Sequence, residues 1–162
     1  MRTLTATDSN NVTKTFRGTF ERFDLFRLYE TDDIIIPTNA STIETLLLLA
    51  KGPLLRYDAS KPTCHVMNSV PCPLVDHIET ITELSYYYEI LSKLNGKQLY
   101  YTIMLADFLK WEAMAVYAMA YVKSEMRKLD TKLDQLEYLN PFGYSITNTG
   151  TVSNRPPVEW VW

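Results

Sequence analysis

The stretch from Leu99 to Met126 constrains this chain more than any other. It reads LYYTIMLADFLKWEAMAVYAMAYVKSEM, two apolar stripes separated by a polar break at Asp107, Lys110 and Glu112. Met114, Tyr117, Ala118, Tyr121, Val122 and Met126 recur at helical spacing and define one wide apolar face. Leu99, Ile103 and Met104 begin such a face before the break, and Phe108 continues it. Two apolar helices joined almost without a loop form a helical hairpin or bend. This pair reads as a docking element for another polypeptide. The plainer alternative is burial in the chain's own core.

The remainder predicts a small α+β framework. Thr3, Thr5 and Thr7 alternate with Leu4 and Ala6, which gives a strand with one polar and one apolar face. Asp8-Ser9-Asn10-Asn11 is a turn cluster, and Val12 to Phe16 returns as the second strand of a hairpin. Phe20, Phe23, Phe26 and Leu28 stand at near-helical spacing and predict a short amphipathic helix ending near Glu30. Ile34-Ile35-Ile36, closed by Pro37, predicts a buried strand. Ser41-Thr42-Ile43-Glu44 fits a capping box that opens a helix burying Ile43, Leu46, Leu47 and Ala50, and Gly52-Pro53 stops it. Between about residues 58 and 82, Pro62, Pro71 and Pro73 among polar residues predict a long loop. Tyr86 to Leu94 resumes a helix, ended by Asn95-Gly96. Thr131 to Asp134 resembles another capping box, before a short helix carrying Leu133, Leu136 and Leu139. After Asn140-Pro141 the chain is rich in Gly, Asn and Thr up to Trp160 and Trp162.

Composition narrows the function classes. With 46% hydrophobic and 22% charged residues, the chain reads as globular rather than disordered. A net charge of −3 and the absence of a Lys/Arg cluster argue against a nucleic-acid partner. The aliphatic run Leu46 to Ala50 is too short to cross a bilayer, and no apolar signal-peptide core follows Met1. A cytoplasmic or nuclear protein without membrane attachment is expected. Its two cysteines, Cys64 and Cys72, are then expected as thiols.

Together with His65 and His77, these cysteines put four ligand-type residues into the Pro-bearing segment, the donor types of a tetrahedral zinc site. Their spacing is poor for one. Adjacent Cys64 and His65 do not readily share an ion, and Pro71 and Pro73 stiffen the approach of Cys72. No metal and no other cofactor is expected. There is no G-x-S-x-G elbow, no phosphate-binding glycine loop and no tuned pair of carboxylates, so the chain does not read as an enzyme. Eleven tyrosines and three tryptophans are many for this length. Both residue types are favoured where a surface binds protein.

Four segments carry a resemblance. Thr3 to Ser9 is similar to the opening strand and turn of the S-phase kinase-associated protein family, the BTB/POZ-fold adaptors of SCF ubiquitin ligases. Ile36-Pro37-Thr38-Asn39, with Ile43 and Leu47-Leu48, resembles that family's third strand and following helix. Leu99 to Leu109, LYYTIMLADFL, resembles the family's LFELILAANYL, and Ala113 to Val122 looks like its next helix. The resemblance, to a divergent member, implies a BTB/POZ-like domain over residues 1–109, a small three-stranded sheet with helices and a long loop near 58–82. A C-terminal helical extension with an irregular tail would occupy 110–162.

It also implies a protein-binding adaptor that links an F-box-type receptor to a cullin. The family's cullin-contacting Asn-Tyr pair falls at Asp107 and Phe108, where a charge replaces the amide and the ring loses its hydroxyl. F-box contact would fall to Trp111, Met114, Tyr121, Leu133, Leu136, Leu139 and Trp160. A second reading stays open beside it, a BTB/POZ scaffold that forms a homodimer or a dedicated complex without ubiquitin-ligase activity.

Overall fold

The computed structural model describes residues 1–53 and 85–140 in full, and the backbone of four strands at 63–67, 70–73, 144–146 and 152–154. Strand β1 (Arg2–Thr7) pairs antiparallel with β2 (Thr13–Gly18), placing Leu4 opposite Phe16. The turn between them closes on Asp8, whose Oδ1 accepts the amides of Asn10 at 2.9 Å and Val12 at 3.0 Å. Asn11 takes the left-handed conformation (φ 60°) that its short amide side chain tolerates. Strand β3 (Asp33–Ile36) pairs parallel with the other side of β1, so the sheet is mixed with order β2-β1-β3. The fold is therefore α+β, and Leu4, Ala6 and Ile36 give the sheet its buried face.

Local chemistry differs from the sequence reading at several points. The Ile34–Ile36 run is not a buried strand. Among the described residues it is an edge strand paired on one side only, and alternation leaves Ile35 72% exposed. The helix expected over Phe20–Glu30 shrinks to one turn, α1 (Leu25–Leu28). Stacking accounts for the spacing of the phenylalanines instead: the Phe20 ring centroid lies 5.8 Å from those of both Phe23 and Phe26. Helix α2 (Ala40–Leu49) is capped by Asn39 and not by a Ser41–Glu44 box. Asn39 Oδ1 accepts the Thr42 amide at 3.0 Å, and Glu44 pairs with Lys14 Nζ at 2.6 Å. The face of α2 that is buried carries Thr42, Ile43, Leu46 and Leu49.

Part of the expected long loop is a hairpin of β4 (Thr63–Met67) and β5 (Val70–Pro73). Pro71 and Pro73 signalled a loop, yet proline is tolerated in a two-stranded ribbon wherever its nitrogen faces away from the partner strand. His77 lies outside the described residues, as do the side chains of Cys64, His65 and Cys72.

Helix α3 (Ser85–Ser92) is followed by α4 (Gly96–Phe108). Asn95 opens α4 rather than ending α3. Its Oδ1 accepts the Gln98 amide at 2.8 Å while Gln98 Oε1 accepts the Asn95 amide at 3.0 Å, a reciprocal capping box. Helix α5 (Glu112–Arg127) packs against α4 and along β5. Helix α6 (Lys132–Leu139) begins at the expected cap, Thr131, whose hydroxyl accepts the Asp134 amide at 3.1 Å. Two short strands, β6 (Tyr144–Ile146) and β7 (Val152–Asn154), pair within the segment expected to be irregular.

One hydrophobic cluster runs from Leu4 to Val122 and takes residues from both sides of position 110. Helix α5 is its centre: every residue from Met114 to Val122 is buried. A helix that is apolar on all sides belongs in an interior. Among the described residues no helix is long and apolar enough to cross a membrane.

The tyrosines of this interior make stability sensitive to alkali. Burial pushes the Tyr121 hydroxyl up to about 12, helped by the nearby charge of Glu125. Tyr87 and Tyr138 are raised in the same direction, again chiefly by burial. A phenol harder to ionise folded than unfolded holds its full contribution below pH 10, the ordinary value, and loses it as pH climbs towards about 12. Denaturation midpoints are expected to hold steady up to about pH 9 and then fall. Phenolate absorbance should appear together with unfolding; tyrosines that all ionise while the fold persists would contradict this assignment.

Candidate docking site

A groove of about 700 Å³ opens where α1, β3 and the end of α4 meet. Two helix terminations shape it. At the end of α4 the Trp111 amide donates to the Ala106 carbonyl at 2.9 Å and the Lys110 amide to that of Asp107 at 3.1 Å. This is a Schellman motif, and it requires Lys110 in the left-handed region (φ 62°). Helix α1 ends in the same way. The Thr31 amide donates to Phe26 at 3.1 Å, the Glu30 amide to Arg27 at 3.3 Å, and Glu30 has φ 49°.

The two ends are held together. The Leu109 carbonyl, at the C-cap of α4, accepts the amide of Leu25 at 3.1 Å. Trp111, turned inward by the Schellman bend, lies buried against Phe23 with ring centroids 5.9 Å apart. The Arg22 guanidinium sits 5.5 Å from the Trp111 ring. Beyond α1, the Thr31 hydroxyl donates to the Asp33 carbonyl at 3.1 Å and accepts the Asp33 amide at 3.2 Å, turning the chain into β3.

The groove is largely apolar. Leu25 and Ile36 are buried in it, Ile34 and Met104 are half-buried, and Tyr29 and Phe108 are 74% and 45% exposed. Asp33, Asp107 and Lys110 supply its charges. Monomers rarely leave large aromatic and aliphatic side chains grouped around one concavity unless something covers them. Among the described residues no cluster of His, Cys, Asp and Glu could hold a metal ion.

The residues singled out from sequence divide sharply. Asp107 and Phe108 do meet in this groove. Trp111, Met114 and Tyr121 do not lie on an open face: they are 5%, 0% and 6% exposed and belong to the core. The reason is that α4, α6 and β5 all pack on α5, so its apolar surface is consumed internally. Leu133 is 60% exposed on α6, and Leu136 and Leu139 are half-buried beside it. Trp160 lies outside the described residues. Tyr29 and Ile34 are not among the site residues expected from sequence: Tyr29 caps the end of α1 and Ile34 lies on edge strand β3, positions that only the fold reveals. Comparison with known protein families, curated proteins and solved structures finds no match to this chain.

Lys110 offers a direct test of this geometry. A left-handed lysine costs about 1 kcal/mol relative to glycine. Lys110→Gly is therefore expected to raise stability by about that amount in urea denaturation, whereas Lys110→Ala is not. A destabilised Lys110→Gly protein would contradict the Schellman assignment.

Proposed function

We propose that this chain is a protein-binding adaptor, a divergent BTB/POZ-like relative of the S-phase kinase-associated proteins. It joins a helical scaffold of the cullin type to an F-box-type receptor. The observation that carries this reading is the grouping of Asp107 and Phe108 with Tyr29, Ile34 and Met104 in one open apolar groove. Asp107 and Phe108 are the two positions that the family resemblance assigns to cullin contact. An apolar centre flanked by a few charges suits a helix face whose middle is apolar and whose edge is basic, opposite Asp33 and Asp107.

The burial of Met114 and Tyr121 moves the receptor contact away from α5. Within the described residues, α6 is the surface left for it, with Leu133 exposed and Leu136 and Leu139 beside it. The groove brings together rings, aliphatic chains and three charged side chains, a lining that suits the docking of a polypeptide face.

The homodimeric scaffold is the second reading, and exposed Ile35 on edge strand β3 favours it. An apolar residue on an unpaired strand edge beside an apolar groove suits a second copy of the chain. Co-purification with an N-terminal cullin-repeat fragment and with an F-box peptide, alongside light scattering, decides between them. Capture of both at micromolar concentration by a monomer supports the adaptor. A dimer that captures neither supports the scaffold.

A further inference from the structure

The β4–β5 hairpin sets the only two cysteines of the chain directly across from each other: Cys64 is the register partner of Cys72. Their neighbours are Thr63 opposite Pro73 and His65 opposite Pro71, and the one irregularity in the ladder lies beyond His65. In an antiparallel pair, hydrogen-bonded and non-hydrogen-bonded partners alternate. Pro71 and Pro73 have no N–H to give, so their pairs take the non-hydrogen-bonded role. That leaves Cys64 and Cys72 as the hydrogen-bonded pair between them.

Two consequences follow from general strand geometry. Partners in such a pair share one face of the ribbon, with Cα atoms about 5.5 Å apart, which matches the separation most disulfides bridge. In hydrogen-bonded pairs generally, Cβ atoms stand about 5 Å apart, wider than the roughly 3.8 Å of a relaxed bridge, and strained bridges are the easily reduced ones. His65, the next residue of β4, falls on the opposite face of the ribbon by strand alternation. Cys64 and Cys72 therefore suit a dithiol better than a shared metal site with His65.

We propose that Cys64 and Cys72 form a reversible redox pair, two thiols under reducing conditions that close to an intramolecular disulfide when a small disulfide oxidant is present. In the first step one thiolate attacks a sulfur of the oxidant, forming a mixed disulfide and releasing one small thiol. In the second, the other cysteine, as thiolate, attacks the protein sulfur of that mixed disulfide and expels the second small thiol. The protein loses two protons and two electrons, and the oxidant gains both. Because β5 lies along α5, the closed form also fixes the strand register of a hairpin that leans on the central helix.

Oxidised glutathione added to the fully reduced full-length chain tests this, read by thiol titration and intact mass. The expected product is a monomer lighter by two hydrogens, with both thiols lost together and both restored by dithiothreitol. Cys64→Ser and Cys72→Ser should each instead retain one glutathione on the remaining cysteine. Stable glutathione adducts on both cysteines of the unaltered chain, disulfide-linked dimers in place of the lighter monomer, or two thiols that stay free would each overturn the proposal.

Discussion

Tyr87→Ala is expected to cost about 4 kcal/mol of stability, enough to leave the domain marginal or unfolded at 37 °C. Tyr87 is fully buried where α3 meets the end of α2. Its ring lies 5.6 Å from that of Tyr86 and 5.7 Å from that of Tyr117 on the central helix. Its hydroxyl donates to the Pro53 carbonyl and accepts from Arg22 Nη1 at 3.1 Å, while Arg22 Nη2 donates to the Gly52 carbonyl at 2.7 Å. Removing the ring opens a cavity and takes the hydroxyl bond from both Arg22 Nη1 and the Pro53 carbonyl, which keep only their own contact at 3.4 Å. Tyr87→Phe keeps the packing and gives up only the hydroxyl bonds, so a loss of about 1–2 kcal/mol is expected.

Gly52 belongs to the same knot. A Cβ there would come within 2.5 Å of Tyr86 Cδ1 and 2.8 Å of Tyr87 Cε1. Rings wedged in this way have no free end to swing aside, and Gly52→Ala should cost about 2 kcal/mol. Urea midpoints of the three variants check the ordering. A Tyr87→Ala protein as stable as its parent would show that α3 is not pinned through this contact.

Under the proposed adaptor reading, Phe108→Ala is expected to weaken capture of a cullin-repeat fragment by about 30-fold, or about 2 kcal/mol, the range of an aromatic anchor at the centre of an interface. Phe108 is 45% exposed, so its truncation should lower stability by less than about 1 kcal/mol. That separation between binding and folding is the diagnostic. Asp107→Lys reverses the charge beside the anchor, and about a tenfold loss against a basic helix edge is expected. Titration calorimetry of both variants, with circular dichroism to confirm the fold, measures the two effects apart. Capture unchanged in both would remove the groove as the scaffold's docking site and leave the homodimer as the better reading.

What was legible in the sequence follows the range of the interactions involved. Strand β1 was readable because its alternation of threonine with Leu4 and Ala6 is a local, period-two signal, and the sheet buries that apolar face. The start of α6 at Thr131 was readable because a capping hydroxyl reaches only three residues ahead. Nearby competitors misled the same kind of reasoning. Asn39 stands two residues before Ser41 and takes the cap of α2, and Asn95, which also suits a helix end, starts α4 through Gln98. The phenylalanines at 20, 23 and 26 have helical spacing but meet by stacking rings across a chain bend.

The sequence alone determined that Leu99 to Met126 forms two apolar helices with a polar break between them, since periodicity and helix propensity act within a few residues. It also determined that Asp107 and Phe108 stand at that break. Which apolar surface becomes interior was decided only by the tertiary structure. Packing of α4, α6 and β5 on α5 buries Met114 and Tyr121, while the edge position of β3 and the left-handed turns at Glu30 and Lys110 leave Phe108 and Tyr29 open around a groove. Burial depends on which distant segments arrive on a given face, and a helical repeat reads the same whether its apolar side meets its own chain or another.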